Sequence, residues 1–183
     1  MRNAAFALVA AAMTVAVVGA LAWPRGTHAA IRLYPSPEAL IRKTELYRKE
    51  TWRWQRVMGS RLTPVSRIAR RTTLGLHYRL WVLDLWKGRA QRARRLAEHP
   101  PHKADWLCIH RYEGSWTDAG GPYFGGLQMD VTFQRHYGSA LLSRKGTAEH
   151  WTPLEQMWVA ERALRNGRGF YPWPNTARYC GLI

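Results

Sequence analysis

Hydrophobic and polar positions divide this 183-residue chain into segments of different period. From Ala4 to Trp23 apolar residues follow one another without a polar face. From Glu38 to Gly59, Leu40, Ile41, Tyr47, Trp54, Val57 and Met58 form an imperfect helical stripe, with Arg and Lys filling the other positions. Ser36 before Pro37 predicts the cap and the first helical residue, and Gly59 predicts the stop. A second helix is predicted from about Ser66 to Glu98. Its centre, LGLHYRLWVLDLWKG, is apolar, and Leu76, Leu80, Trp81, Val82, Leu85 and Trp86 are expected to share one broad face. Two antiparallel helices sharing that face make a helical hairpin. His99-Pro100-Pro101-His102 stops the second helix and marks a domain boundary.

Beyond the boundary the elements shorten. Asp105 is expected to cap a helix over Trp106–Tyr112. Trp106, Ile109, His110 and Glu113 then fall at helical spacing, with Glu113 at or just past the C-terminus. Thr117–Pro122, with Gly120-Gly121, reads as a loop, and Tyr123–Met129 as extended or hairpin-like. Gly125 and Gly126 allow the backbone to approach a neighbour or a ligand closely. A short helix is expected over Phe133–Leu142 and a loop over 143–150. Thr152-Pro153-Leu154-Glu155 is a capping box opening a helix to about Arg165, with Gly167 as its stop. Leu154, Met157, Trp158, Glu161 and Leu164 share one side of it. The tail, GRGFYPWPNTARYC, reads as irregular. The predicted fold class is therefore mainly α with a short β-hairpin. A basic helical hairpin over 30–102 precedes a small domain over 103–183.

Charge separates the same two regions. Residues 31–104 carry 18 Lys+Arg against 5 Asp+Glu, and residues 105–183 carry 8 against 7. A basic segment attracts polyanions: nucleic acid, anionic lipid or an anionic wall polymer. The N-terminus narrows the choice. Arg2, the apolar run and Thr27-His28-Ala29 have the three parts of an export signal, with cleavage after Ala29. Residues 1–29 are thus a signal peptide or, since the apolar run of residues 4–23 is long enough to span a bilayer, an uncleaved anchor. Export argues against a nucleic-acid partner and points to a secreted or cell-surface location. Residues 38–98 would then meet an anionic wall polymer or a membrane surface. The two cysteines of an exported chain, Cys108 and Cys180, are expected to form a disulfide rather than two free buried thiols. His99, His102, His110, His136 and His150 show no metal-ligand spacing, and no cofactor is implied.

Glu113 is the chemically suggestive residue. A carboxylic acid that protonates a leaving oxygen at neutral pH needs a raised pKa. Burial against Tyr112, Trp116 and Tyr123-Phe124, together with the negative end of a helix, acts in that direction. Trp116 and Tyr123 offer flat faces to sugar rings.

Glu113-Gly114-Ser115-Trp116 followed by Tyr123-Phe124-Gly125-Gly126-Leu127-Gln128 resembles the resuscitation-promoting-factor and transglycosylase-like branch of the lysozyme superfamily. In that family a catalytic Glu ends a helix, a Trp follows shortly, and a Tyr-Tyr-Gly-Gly-Leu-Gln segment comes after a short loop. Glu155–Arg162 looks like its third-helix signature, and the Trp173-Pro174 tail with its cysteine looks like its C-terminal closure. The resemblance covers residues 103–183. It implies a lysozyme-like fold that cleaves the peptidoglycan β-1,4 bond between N-acetylmuramic acid and N-acetylglucosamine. Glu113 would be the acid/base, and Trp116, Tyr123, Gly125, Gly126 and Gln128 would line the substrate groove. Two departures stand out: the family's Ser-Gly-Gly-Asn after the Glu is missing, and Cys108 lies a helical turn before Glu113 rather than beside it. Where animal-type lysozymes place their nucleophile, this chain has Tyr123. Asp118 reads as a loop residue and Asp130 as a helix cap, although either is a possible second carboxylate. One carboxylate alone favours a lytic transglycosylase. The rival expectation is a non-catalytic glycan-binding or tethering module on the same fold.

Overall fold

The computed structural model describes residues 35–65 and 75–183. The N-terminal apolar run and the predicted helix start at Ser66 lie outside the described residues. Among the described residues the order is α1 (Pro37–Met58), α2 (Leu76–Glu98), α3 (Lys103–Glu113), β1 (Tyr123–Phe124), β2 (Met129–Asp130), α4 (Val131–Lys145), α5 (Pro153–Ala163) and α6 (Pro174–Tyr179). This is the mainly helical fold with a short hairpin that the sequence predicts. No described helix is long and apolar enough to cross a membrane.

Helix α1 begins as expected: the Ser36 hydroxyl accepts from Ala39 N–H, and Gly59 closes the helix in the left-handed region at φ 65°. Leu40, Thr44, Thr51 and Met58 are its buried residues, a spacing of one turn and then two turns twice that keeps one face on a partner. The two buried threonines donate to carbonyls one turn back, Thr44 to Leu40 O and Thr51 to Tyr47 O, both at 2.8 Å. Helix α2 answers with Val82, Trp86, Ala90, Ala93 and Ala97. The small alanines permit a close approach.

The predicted broad face needs correction here. Trp81 is 56% exposed and Ile41 47% exposed. The buried register runs on from Val82 and Trp86 toward the alanines and does not take in every apolar residue of the centre.

The turn after α2 is stitched to the rest of the fold. The buried Glu161 carboxylate accepts from His102 N–H at 2.8 Å and from Trp106 Nε1–H at 2.9 Å. Trp158 of α5 donates through Nε1 to Ala97 O at 2.7 Å, and it packs with Met58, Ala93 and Ala97. Residues Pro35–Ile183 accordingly form one compact unit. Helix α5 opens on the expected capping box and is buried on nearly every side from Glu155 to Glu161. The hairpin covers one flank through Trp158. Trp106, Ile109, Leu127, Met129, Leu141, Trp151 and Trp173 pack around the others.

Three local expectations change. Helix α3 starts at Lys103, and no side chain caps it. The His102–Glu161 contact, not Asp105, anchors its first turn. Helix α4 runs to Lys145 and is followed by a 3-10 turn at Ala148–His150. Helix α4 bends at Gly138, where an added Cβ would lie 2.7 Å from the Trp151 ring. The tail contains α6, with Pro174 in its first turn.

Candidate active site

Glu113 is the last residue of α3, and its side chain is half-buried. Its Oε1 accepts from the Thr176 hydroxyl at 2.7 Å. Thr176 is 8% exposed and lies on α6. That helix is fixed from two sides. The Cys108–Cys180 disulfide joins its C-terminal end to α3, with Cα atoms 6.0 Å apart. At its N-terminal end Trp173 donates through Nε1 to Leu127 O, and its ring packs edge-on against Trp106 at 5.2 Å. Tyr112 and Tyr179 add a ring contact at 5.7 Å. The contacts of Cys108, Tyr112 and Glu113 with Cys180, Tyr179 and Thr176 run in opposite chain order, and Thr176 falls opposite Glu113.

The segment after Glu113 folds over His110. Trp116 stacks on the His110 ring at 3.9 Å, with the planes 21° apart. Beneath the stack lies Gly126, where an added Cβ would be 2.6 Å from both His110 and Trp116. Gly125 has φ 72°, and an added Cβ would be 2.5 Å from Gln156 Oε1. Both glycines are buried, and the close neighbours that require them belong to the protein itself. The buried Gln156 amide donates to Trp116 O at 2.8 Å and Ala148 O at 2.9 Å. The turn that carries Trp116 is thus pinned to α5.

The hairpin pairs Tyr123 with Asp130 and Phe124 with Met129. Tyr123 is 51% exposed. Gln128, at φ 46°, donates through Nε2 to Asp118 Oδ2 at 2.8 Å and to Gly125 O at 3.0 Å. The other Asp118 oxygen accepts from Gly120 N–H at 2.9 Å. This Asp118–Gln128 pair packs on Gly114: a Cβ built there would lie 3.3 Å from Asp118 Oδ2 and 3.5 Å from Gln128 Nε2. Asp118 thus organises its loop. Asp130 caps α4, accepting from Phe133 N–H at 2.7 Å.

Glu113, Trp116, Gln128 and the glycine turn are therefore gathered around the end of α3, with Tyr123 on the adjoining strand. Two contributors escape a reading of the sequence: Thr176, which holds Glu113, and His110, which supports Trp116. Thr176 had a usable signal. It stands one helical turn before Cys180, and a bridge to Cys108 brings that turn against the α3 residues that lead to Glu113.

No family model, curated protein or solved structure matches this chain.

Proposed function

We propose that this chain is an exported enzyme with a lysozyme-like domain that cleaves peptidoglycan glycan strands. The bond is the β-1,4 linkage between N-acetylmuramic acid and N-acetylglucosamine, and Glu113 is its acid/base. The observation that carries the reading is the Glu113–Thr176 contact. A hydroxyl donating to Oε1 leaves Oε2 without a hydrogen-bond partner among the described residues, which supports Oε2 as the oxygen that delivers the proton. The two oxygens thereby acquire different tasks: one is held and the other delivers. Helix α3, the disulfide and Trp173 supply the rigidity that positions such a group.

In the proposed reaction Oε2–H protonates the glycosidic oxygen as its bond to C1 breaks. The resulting carboxylate takes the proton of the sugar's own 6-hydroxyl, whose oxygen closes on C1 to give a 1,6-anhydro end. The engagement of Asp118 by Gln128 and Gly120, and of Asp130 by the α4 N-terminus, favours this single-carboxylate route over hydrolysis. Tyr123 and Trp116 are assigned to sugar rings, and no cofactor is invoked. The disulfide is compatible with an extracellular location.

The second reading is a non-catalytic glycan-binding or tethering module. The merging of the basic hairpin with the site region into one unit favours it.

Digestion of purified peptidoglycan by the chain and by Glu113→Gln, read by mass spectrometry, separates the readings. Anhydro ends that fall by about 10²–10⁴-fold in the variant establish the transglycosylase. Hydrated reducing ends redirect attention to Asp118 and Asp130. Binding without products from either protein leaves the tethering module.

A further inference from the structure

Away from Glu113, the C-terminal half of α1 meets α4 and α5 along a furrow of three adjoining cavities of about 410, 580 and 500 Å³. The first two share Gly59, Tyr137 and Arg162. The second and third share Arg56, Leu141 and Arg144. Arg53, Arg56, Arg144, Lys145, Arg162 and Arg165 line the furrow. Its one lining carboxylate, Glu155, is already taken by Lys145 at 2.7 Å. None of the five arginines has an ion-pair partner among the described residues.

Backbone carbonyls hold three of these guanidiniums in place without neutralising them. Arg162 donates to Tyr137 O and, at 3.0 Å, to Val57 O. Arg165 donates to Met58 O at 3.2 Å, and Arg144 to Ala140 O at 2.9 Å. Part of this is helix capping, since Val57 and Met58 end α1 and cations favour that end. Capping engages only some of the five N–H groups of each guanidinium. Burial, together with the neighbouring Arg165, pushes Arg162 down to about 10. Burial is the larger cause, and the Arg165 charge acts in the same direction.

We propose that this furrow binds a linear phosphodiester polyanion of the polyol-phosphate class. Several fixed guanidiniums in a row match repeated phosphates better than a single small anion. Preferring a polyol phosphate to a nucleic acid rests on the proposed function, which places the chain outside the cell. The site is distinct from the exposed basic face of α2, where Arg92 and Arg95 are solvated.

The test measures binding of a poly(glycerol phosphate) chain to the full protein by calorimetry at fixed salt. Arg56→Gln/Arg144→Gln removes two exposed furrow arginines, and Arg92→Gln/Arg95→Gln removes the same charge from α2. The furrow variant is expected to bind at least about tenfold more weakly, with the α2 variant within about twofold of the parent. Equal weakening by both variants would reduce the effect to diffuse basic charge and overturn the site. Absence of binding by the parent, or equally tight binding of an oligonucleotide with the same number of phosphates, would overturn it too. Digestion of peptidoglycan stripped of phosphate polymers keeps the two readings apart. The furrow variant should cleave it like the parent, and failure of both to cleave would count against Glu113 chemistry while leaving the binding result intact.

Discussion

Along α1 and α2 the contact surface repeats: Leu40, Thr44, Thr51 and Met58 face Val82, Trp86, Ala90, Ala93 and Ala97. Around Glu113 each contact is of a different kind. There is a disulfide, an indole on a carbonyl, a ring stack over a glycine, and a buried amide spanning a loop and a helix. The hairpin spreads its stability over a periodic seam, so a single loss is diluted. The site region rests on few contacts of high individual consequence. Regions of the second kind are suited to holding a functional group in one geometry. The comparison implies that equivalent changes should cost more in the second region than in the first.

The largest expected effect is loss of the Cys108–Cys180 bridge. A sequence separation of 72 corresponds to about 4 kcal/mol of loop-closure entropy. The double variant Cys108→Ser/Cys180→Ser should melt about 8–16 °C lower, and glycan cleavage should fall with it because α6 carries Thr176. Thermal unfolding followed by circular dichroism measures the first effect. A drop of only a degree or two would mean that Trp173 and the aromatic core hold α6 unaided, and the contrast between the regions would weaken.

Glycines offer a direct comparison. At Gly126 a Cβ would meet His110 and Trp116 at 2.6 Å, whereas Gly88 in α2 has nothing within 4 Å. Gly126→Ala should cost about 2–3 kcal/mol by forcing the stack apart. Gly88→Ala should stabilise by about 0.5–1 kcal/mol through helix propensity. Opposite signs in chemical denaturation support the comparison, and two losses of similar size would erase it.

These two regions were also unequally legible in the sequence. The periodic hairpin and the Thr152–Glu155 capping box could be read because their signals are local: a repeat, a cap, a stop. Even there the register slipped, because apolar residues such as Trp81 outnumber the places on the buried face. Helix α6 was hidden because a six-residue helix has too few turns to show a period, and its stability comes from the bridge and Trp173. Glu113 was legible as a residue type ending a helix. Its partner Thr176 lies 63 residues away and was within reach only through the expected Cys108–Cys180 bridge.

The Thr176 contact can be isolated. Thr176→Val keeps the shape and removes the donor to Glu113. If the hydroxyl fixes which oxygen carries the proton, the rate of anhydro-end formation should fall about tenfold, or ~1.4 kcal/mol, with substrate binding retained. The pH profile of that rate should shift, which a purely structural role for Thr176 would not produce. An unchanged rate and profile would leave Glu113 without the support assigned to Thr176.

The smallest effect concerns Glu155, where the furrow and the start of α5 meet. Burial alone would raise its pKa. The hydrogen bond from Lys145, the backbone N–H of Thr152 and the Lys145 charge outweigh burial, and its carboxyl sits below the ordinary value of 4.5. A carboxyl lowered in the folded state stabilises the fold fully above the unfolded pKa. That contribution disappears as pH falls through the folded value. Stability should therefore be flat at neutral pH and decline below about pH 4.5, with Glu155 contributing to the decline. Lys145→Met should remove much of this slope, and denaturant titrations at pH 7 and pH 3.5 would show it. The same substitution tests the furrow from the other side. With Lys145 gone, the Glu155 carboxylate loses its counter-ion and stands among unpaired arginines, where it would compete with an incoming polyanion. Weaker poly(glycerol phosphate) binding by Lys145→Met than by the parent at neutral pH would therefore tie the acid sensitivity of the α5 cap to the charge balance of the furrow.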